Sequence, residues 1–200
     1  MEETDSGGAY HLGAMIIKLA RNVPRKRLQD IALPFMQMLS ADTGEAICLS
    51  TLHSYQGVCV ERVEAQHTLR VSHDLGAIFP PHAGASGKIL LAYLDRATQE
   101  KIIQSVGLKR FSPTTITDRK LLLAELAQIR KQGYALSDGE VIPGTFGIGA
   151  PVMSCKDKAV AALSISAPTG RIRSEDKRDI ISFVVEAARR ISEGVQAQEV

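Results

Sequence analysis

The sequence predicts an α+β protein, an antiparallel sheet of about six strands with helices packed against it. Three observations carry that reading. Apolar stretches of period two recur in pairs joined by hairpin-length turns. Segments of helical period stand before, between and after them. At residues 82–94 a loop of small residues turns abruptly into a helical pattern, a helix start whose unpaired amides and positive dipole end suit an anion.

Taken in order, residues 1–9 are polar and small and are expected to be disordered, and residues 11–20 carry Leu12, Met15, Ile16 and Leu19 on one helical face. Pro24 ends that helix. A second runs over 26–40, with Leu28, Ile31, Ala32, Phe35, Met36 and Leu39 as its apolar stripe and Pro34 as an expected kink. Asp42, Thr43 and Gly44 then form a turn. Strands follow at 46–52, 58–63 and 68–72, the first two joined through Gln56 and Gly57. Residues 74–81 hold Gly76, Pro80 and Pro81 and are expected to be irregular.

Beyond residue 94, Asp95 caps a helix over 96–106 that Gly107 ends, and Asp118 caps another with Leu121, Leu122, Leu126 and Ile129 on one face and Gly133 after it. Residues 134–136 read as a short strand that enters a turn at Ser137, Asp138 and Gly139. Strands at 148–153 and 160–166 flank a polar turn and make a second hairpin. Ser174 is the expected N-cap of a last helix, whose face is Ile180, Ile181, Val184, Ala187, Ala188 and Ile191.

Composition narrows the function classes. With 200 residues, 44% hydrophobic and 23% charged, one compact domain is expected over 24–200, preceded by a disordered start and linker helix over 1–23. A net charge of +2 and no Lys/Arg block longer than Arg25, Lys26 and Arg27 leave no nucleic-acid footprint in these residues. Cys48, Cys59 and Cys155 are odd in number and lack C-x-x-C spacing, which fits a reducing, cytoplasmic setting. Neither a signal peptide nor a membrane-length apolar run is present, so no membrane partner is expected.

Several chemistries are weighed and set aside. A phosphate-binding P-loop fails because His82 stands where its first glycine belongs and Ile89 replaces its hydroxyl. His67, His73 and His82 with Cys48 and Cys59 lack metal-site spacing, so no metal is expected. Ser86 lacks the G-x-S-x-G elbow of a nucleophile, and no catalytic residue is expected. Ser164 and Ser166 share one strand face, either as a solvent-facing edge or as two donors aimed into a pocket. Asp138 and Glu140 are turn residues or pocket polar groups.

Three blocks then carry a family resemblance. They are His82-Ala83 with Gly87-Lys88 and Leu91-Ala92; Gly133-Tyr134-Ala135 with Glu140, Gly144, Ile148 and Ala150-Pro151-Val152; and residues 162–166 with Pro168, Arg171 and Ile172. Their order and spacing resemble the effector-binding domain of the isocitrate lyase regulator (IclR) family of bacterial transcription factors. Tyr10, His11, Leu12 and Gly13 look like that family's junction between a winged helix and its linker helix, with the DNA-binding domain absent from this chain.

The resemblance implies a GAF-like antiparallel sheet flanked by helices, a homodimer or homotetramer, DNA contact only through the missing N-terminal winged helix, and a small-molecule effector without cofactor or metal. It implies a pocket with Val71 and Phe79 before the opening loop, Ala85 and Ser86 in it, Ser137, Thr145 and Gly147 from the later loop and strand, and Ser164 and Ser166 from the last strand. Loop amides and serines suit a carboxylate, so a small organic or aromatic acid is the expected effector. Within the helix start, Gly87 and Lys88 are read as structural. Departures occur at Ser137, where the family has an acidic residue or Asn, and at Ala167, where it has Gly. Two alternatives remain in view, a stand-alone GAF-like signalling module and a small hydrolase using Ser86.

Overall fold

The computed structural model describes residues 2–3, 10–11, 26–65, 67, 73–173 and 175–199. Glu2–Glu3 (β1) and Tyr10–His11 (β2) form a small antiparallel ribbon. Disorder expected over residues 1–9 is therefore corrected at Glu2 and Glu3, and His11 is extended instead of starting a helix, because ladder pairing satisfies these backbone groups. The rest of the linker helix expected over 11–20, the strand expected at 68–72 and the N-cap at Ser174 lie outside the described residues.

The main elements are α1 (Lys26–Thr43), β3 (Ala46–His53), β4 (Gln56–Val63), β5 (Ile78–Phe79), α2 (Ala85–Ala92), α3 (Arg96–Val106), α4 (Arg119–Gln132), β6 (Ala135–Asp138), β7 (Thr145–Met153), β8 (Ala159–Pro168) and α5 (Lys177–Glu199). The six later strands form one antiparallel sheet in the order β5-β4-β3-β8-β7-β6. This is the expected α+β fold class. One local expectation is overturned: residues 74–81 are not wholly irregular, since Ile78 and Phe79 pair with Val58 and Gly57. A tight turn makes this possible, with Gly76 at φ +80° and Ala77 N–H donating to the Asp74 carbonyl.

Helix α1 continues through Pro34, whose ring is exposed, and runs on over Asp42 and Thr43, so the turn begins only at Gly44, with φ +72°. Asp95 and Asp118 cap α3 and α4 as their positions predict, accepting from the amides of Thr98 and Leu121 at 2.9 Å each.

Strand alternation divides the core in two. Leu163, Ile165 and Ala167 of β8, with Ile148 and Val152 of β7, face a layer formed by α1 and α5, where Met36, Leu39, Val184 and Ile191 are buried. The opposite face receives α2, α3 and α4 through Ile89, Leu91, Ile102, Leu122 and Leu126. Next to α2 the sheet presents small residues: Ala162, Ser164, Gly147 and Gly149. A helix start approaches the sheet closely there. Among the described residues no helix is long and apolar enough to cross a membrane.

Candidate functional site

Glycines set the approach. Gly84, at φ +80°, turns the chain into α2, and a Cβ on Gly87 would lie 2.4 Å from the Pro80 carbonyl oxygen. Across the interface, a Cβ on Gly149 would lie 3.2 Å from the carbonyl carbon of Ala85. A side chain at Gly87 would collide with the loop before α2, and one at Gly149 would crowd the first turn of α2 where it sits on β7.

That proximity brings Ser86 to β8, where its hydroxyl donates to Ser164 Oγ at 2.7 Å. Because β8 lies between β3 and β7, Ser164 and Ser166 are not on a solvent-facing edge. The amides of Ala85, Ser86 and Gly87 precede the first intrahelical bond of α2, which is donated by the Lys88 N–H to the Gly84 carbonyl.

Behind the helix start is a buried charged cluster. Lys88 Nζ donates to Glu140 Oε1 at 2.6 Å, to the Leu136 carbonyl at 2.7 Å and to Glu125 Oε1 at 3.0 Å. The other oxygen of Glu140 accepts from the Gly84 amide at 3.0 Å. Reading Glu140 as an ordinary turn residue misses this: its carboxylate caps α2 from within the protein. Its carbonyl also accepts from Thr115 Oγ1 at 2.6 Å, which ties the loop before β7 to the loop before α4. Asp138, by contrast, is exposed at the end of β6. Lys88 is structural, as expected, and fully buried.

Between the start of α2, the sheet and the 139–145 loop lies a cleft of about 560 Å³ including its open mouth. Phe79, Ala85, Ser86 and Ser137 line it, as do Thr145, Gly147, Ser164 and Ser166. Eight expected pocket residues thus come together, and the ninth, Val71, lies outside the described residues. Gly84, one of the small residues of the opening loop that permit close approach of a ligand, is in the wall, whereas sequence reasoning missed His73, Val141 and Ile142. These three carried no sequence signal, since only the fold of their loops places them here.

Among the described residues the cleft lacks formal charge. None of its described lining residues is Asp, Glu, Lys or Arg, and burial holds the His73 imidazole below its ordinary pKa, towards the neutral form. The His73 ring stacks on Phe79 with centroids 4.6 Å apart. Free helix amides, serine hydroxyls and an aromatic wall are donors and apolar surface suited to a small planar anion. Ser86 donates to another serine, not to a base, which gives it no activation as a nucleophile. Among the described residues no three His, Cys, Asp or Glu side chains gather into a metal site.

Residues 20–193 match the family model of the bacterial transcriptional regulator IclR C-terminal domain. The HTH-type transcriptional regulator BhcR of Paracoccus denitrificans is 32% identical over 194 residues, covering 94% of this chain and 67% of that protein. The chain spans 58% and 72% of the length of two further curated regulators that it matches. The inducer-binding domain of the PobR transcription factor from Acinetobacter, solved as a double mutant with 3-hydroxybenzoic acid, is 32% identical with TM-score 0.75, covering 82% of this chain and 96% of that one. An IclR homologue from Microbacterium hydrocarbonoxydans, solved with 4-hydroxybenzoate, is 27% identical with TM-score 0.84, covering 93% of this chain and 75% of that one.

Proposed function

Given that the chain belongs to the IclR family of bacterial transcriptional regulators, as its C-terminal domain, we propose that the cleft at the start of α2 binds a small organic acid, an aromatic one first. The observation that carries this is the Ser86–Ser164 contact, which sets free helix amides against a serine-lined strand in a cleft with no carboxylate among its described lining residues. The acid's carboxylate sits at the amides of Ala85, Ser86 and Gly87 and at the hydroxyls of Ser164 and Ser166, and its apolar body rests between Phe79 and the 139–145 loop. Ser137, Thr145 and Gly147 complete the wall. The hydroxybenzoates named for two similar proteins support the choice of aromatic acids.

In this reading the domain is a non-catalytic, cytoplasmic sensor that works as a homodimer or homotetramer. It reaches DNA only through an N-terminal winged helix in the regulator, and effector binding shifts the population of its orientations. Benzoate, 3- and 4-hydroxybenzoate and a set of aliphatic carboxylates test the site by thermal denaturation. At least one acid is expected to raise the melting temperature in proportion to the logarithm of its concentration, and the S164A/S166A variant is expected to lose that rise. A full panel without any shift sinks the proposal.

A further inference from the structure

Two buried thiols outside the described cleft lining lie on its side of the sheet, and a β-bulge is what brings them together. Strands β3 and β4 pair Cys48 with Arg62 and Leu49 with Glu61, then slip by one residue so that Ser50 faces Cys59. Without the slip, Cys59 would stand opposite Thr51 and point to the other face, because a one-residue shift of register reverses side-chain direction. With it, Cys48 and Cys59 share the face that carries Ser164, which is paired directly with Cys48 across β8.

The thiols converge on one acceptor. Cys48 Sγ and Cys59 Sγ lie 4.0 and 3.9 Å from the His73 carbonyl oxygen, and Arg62 Nη1 donates to the same oxygen at 3.2 Å. Cys59 Sγ also lies 3.5 Å from the Glu61 carbonyl oxygen. The ring of His73 is part of the cleft wall. We propose that Cys48 and Cys59 form a dithiol that hydrogen peroxide oxidises to an intramolecular disulfide, a modification site behind the His73 wall of the cleft.

The two cysteines have different roles. Cys59 is the attacking thiolate: the neighbouring Cys48 thiol and the charge of Arg62 hold its pKa down against its burial, whereas the neighbouring Cys59 and burial push Cys48 up. The Cys59 thiolate attacks one peroxide oxygen, the O–O bond breaks, and the departing hydroxide takes a proton to become water, leaving Cys59 as a sulfenic acid. Cys48 sulfur then attacks the sulfur of Cys59 and displaces hydroxide, which leaves as a second water with the proton of Cys48. Two thiols lose two electrons and one peroxide gains them. Each cysteine is only 1% exposed, which shuts out bulky disulfides such as oxidised glutathione and restricts the oxidant to a small neutral molecule. Disulfide formation rearranges the two sulfurs that flank the His73 carbonyl, so the state of the pair reaches the cleft through His73.

The test uses the chain with the exposed Cys155 replaced, C155A, to remove intermolecular bridging. It is treated with stoichiometric peroxide, unfolded, alkylated and mapped by mass spectrometry. Cys48 and Cys59 are expected to disappear together into one cross-linked species two hydrogens lighter, while oxidised glutathione leaves both alkylatable. In C48A, dimedone is expected to trap a sulfenic acid at Cys59, and R62M is expected to slow the peroxide reaction several-fold. Both thiols remaining alkylatable in C155A after excess peroxide overturns the proposal, and that readout needs no further variant to fold. The result is independent of any acid binding in the cleft.

Discussion

Lys88 Nζ lies 2.6 Å from Glu140 Oε1, with side-chain exposures of only 2% and 8%. The pair joins α2 to the loop that closes the cleft, since Glu140 also holds the Gly84 amide. Taking two such charges out of water is repaid only while both partners and their hydrogen bonds are present. Replacing Lys88 by Met leaves Glu140 buried with an unpaired charge, and is expected to destabilise the protein by about 3–5 kcal/mol. The K88M/E140Q double variant is expected to lose less than the sum of the single losses, because the second change removes the stranded charge. Urea denaturation of the four proteins in the cycle measures the difference; strict additivity would rule out the coupling.

Gly87 tests the close approach of α2 to the loop before it. Ala at this position places a methyl group 2.4 Å from a backbone carbonyl oxygen that has little room to move. A loss of about 1–3 kcal/mol is expected in thermal or chemical denaturation. Gly170 is the control, since nothing lies within 4 Å of its Cβ position, and G170A is expected to stay within about 0.5 kcal/mol of the parent.

His73 gives the domain a pH dependence of known sign. Burial depresses its pKa below the ordinary 6.5, with Asp74 acting weakly the other way. A depressed basic group binds fewer protons folded than unfolded, so its contribution to stability is present above pH 6.5 and is lost as pH falls through and below that value. Between about pH 7.5 and about pH 5.5, the parent is therefore expected to lose more stability than H73Q. Parallel slopes in urea midpoints would contradict this.

The N-cap of α4 is an independent local test. Asp118 accepts from the Leu121 amide at 2.9 Å, and D118A is expected to cost about 1 kcal/mol while D118N costs a fraction of that. Equal losses for both variants, measured by thermal unfolding, would place the effect outside the cap.

Much of the architecture was legible in local pattern. Three of the four residues expected on the buried face of α4, Leu122, Leu126 and Ile129, are buried, whereas Leu121 is 65% exposed and Leu123 is buried instead; Asp118 and Gly133 mark the helix ends. Alternation along β8 identified Ser164 and Ser166 as sharing a face opposite Leu163 and Ile165, and the motifs resembling the IclR family named eight residues that the fold gathers into one cleft. These are short-range signals: period, cap chemistry and turn residues act within a few positions of the chain.

What only the tertiary structure decided lies at longer range. The central position of β8 turned two ambiguous serines into the floor of a cleft. A single-residue bulge in β4 moved Cys59 onto the face of Cys48, against the simple alternation of its strand. Glu140 reads as a turn residue until Lys88, 52 positions earlier in the chain, is seen to bury its charge against it. The physical reason is common to all three: burial and electrostatic pairing depend on which elements meet, and no local periodicity encodes that meeting.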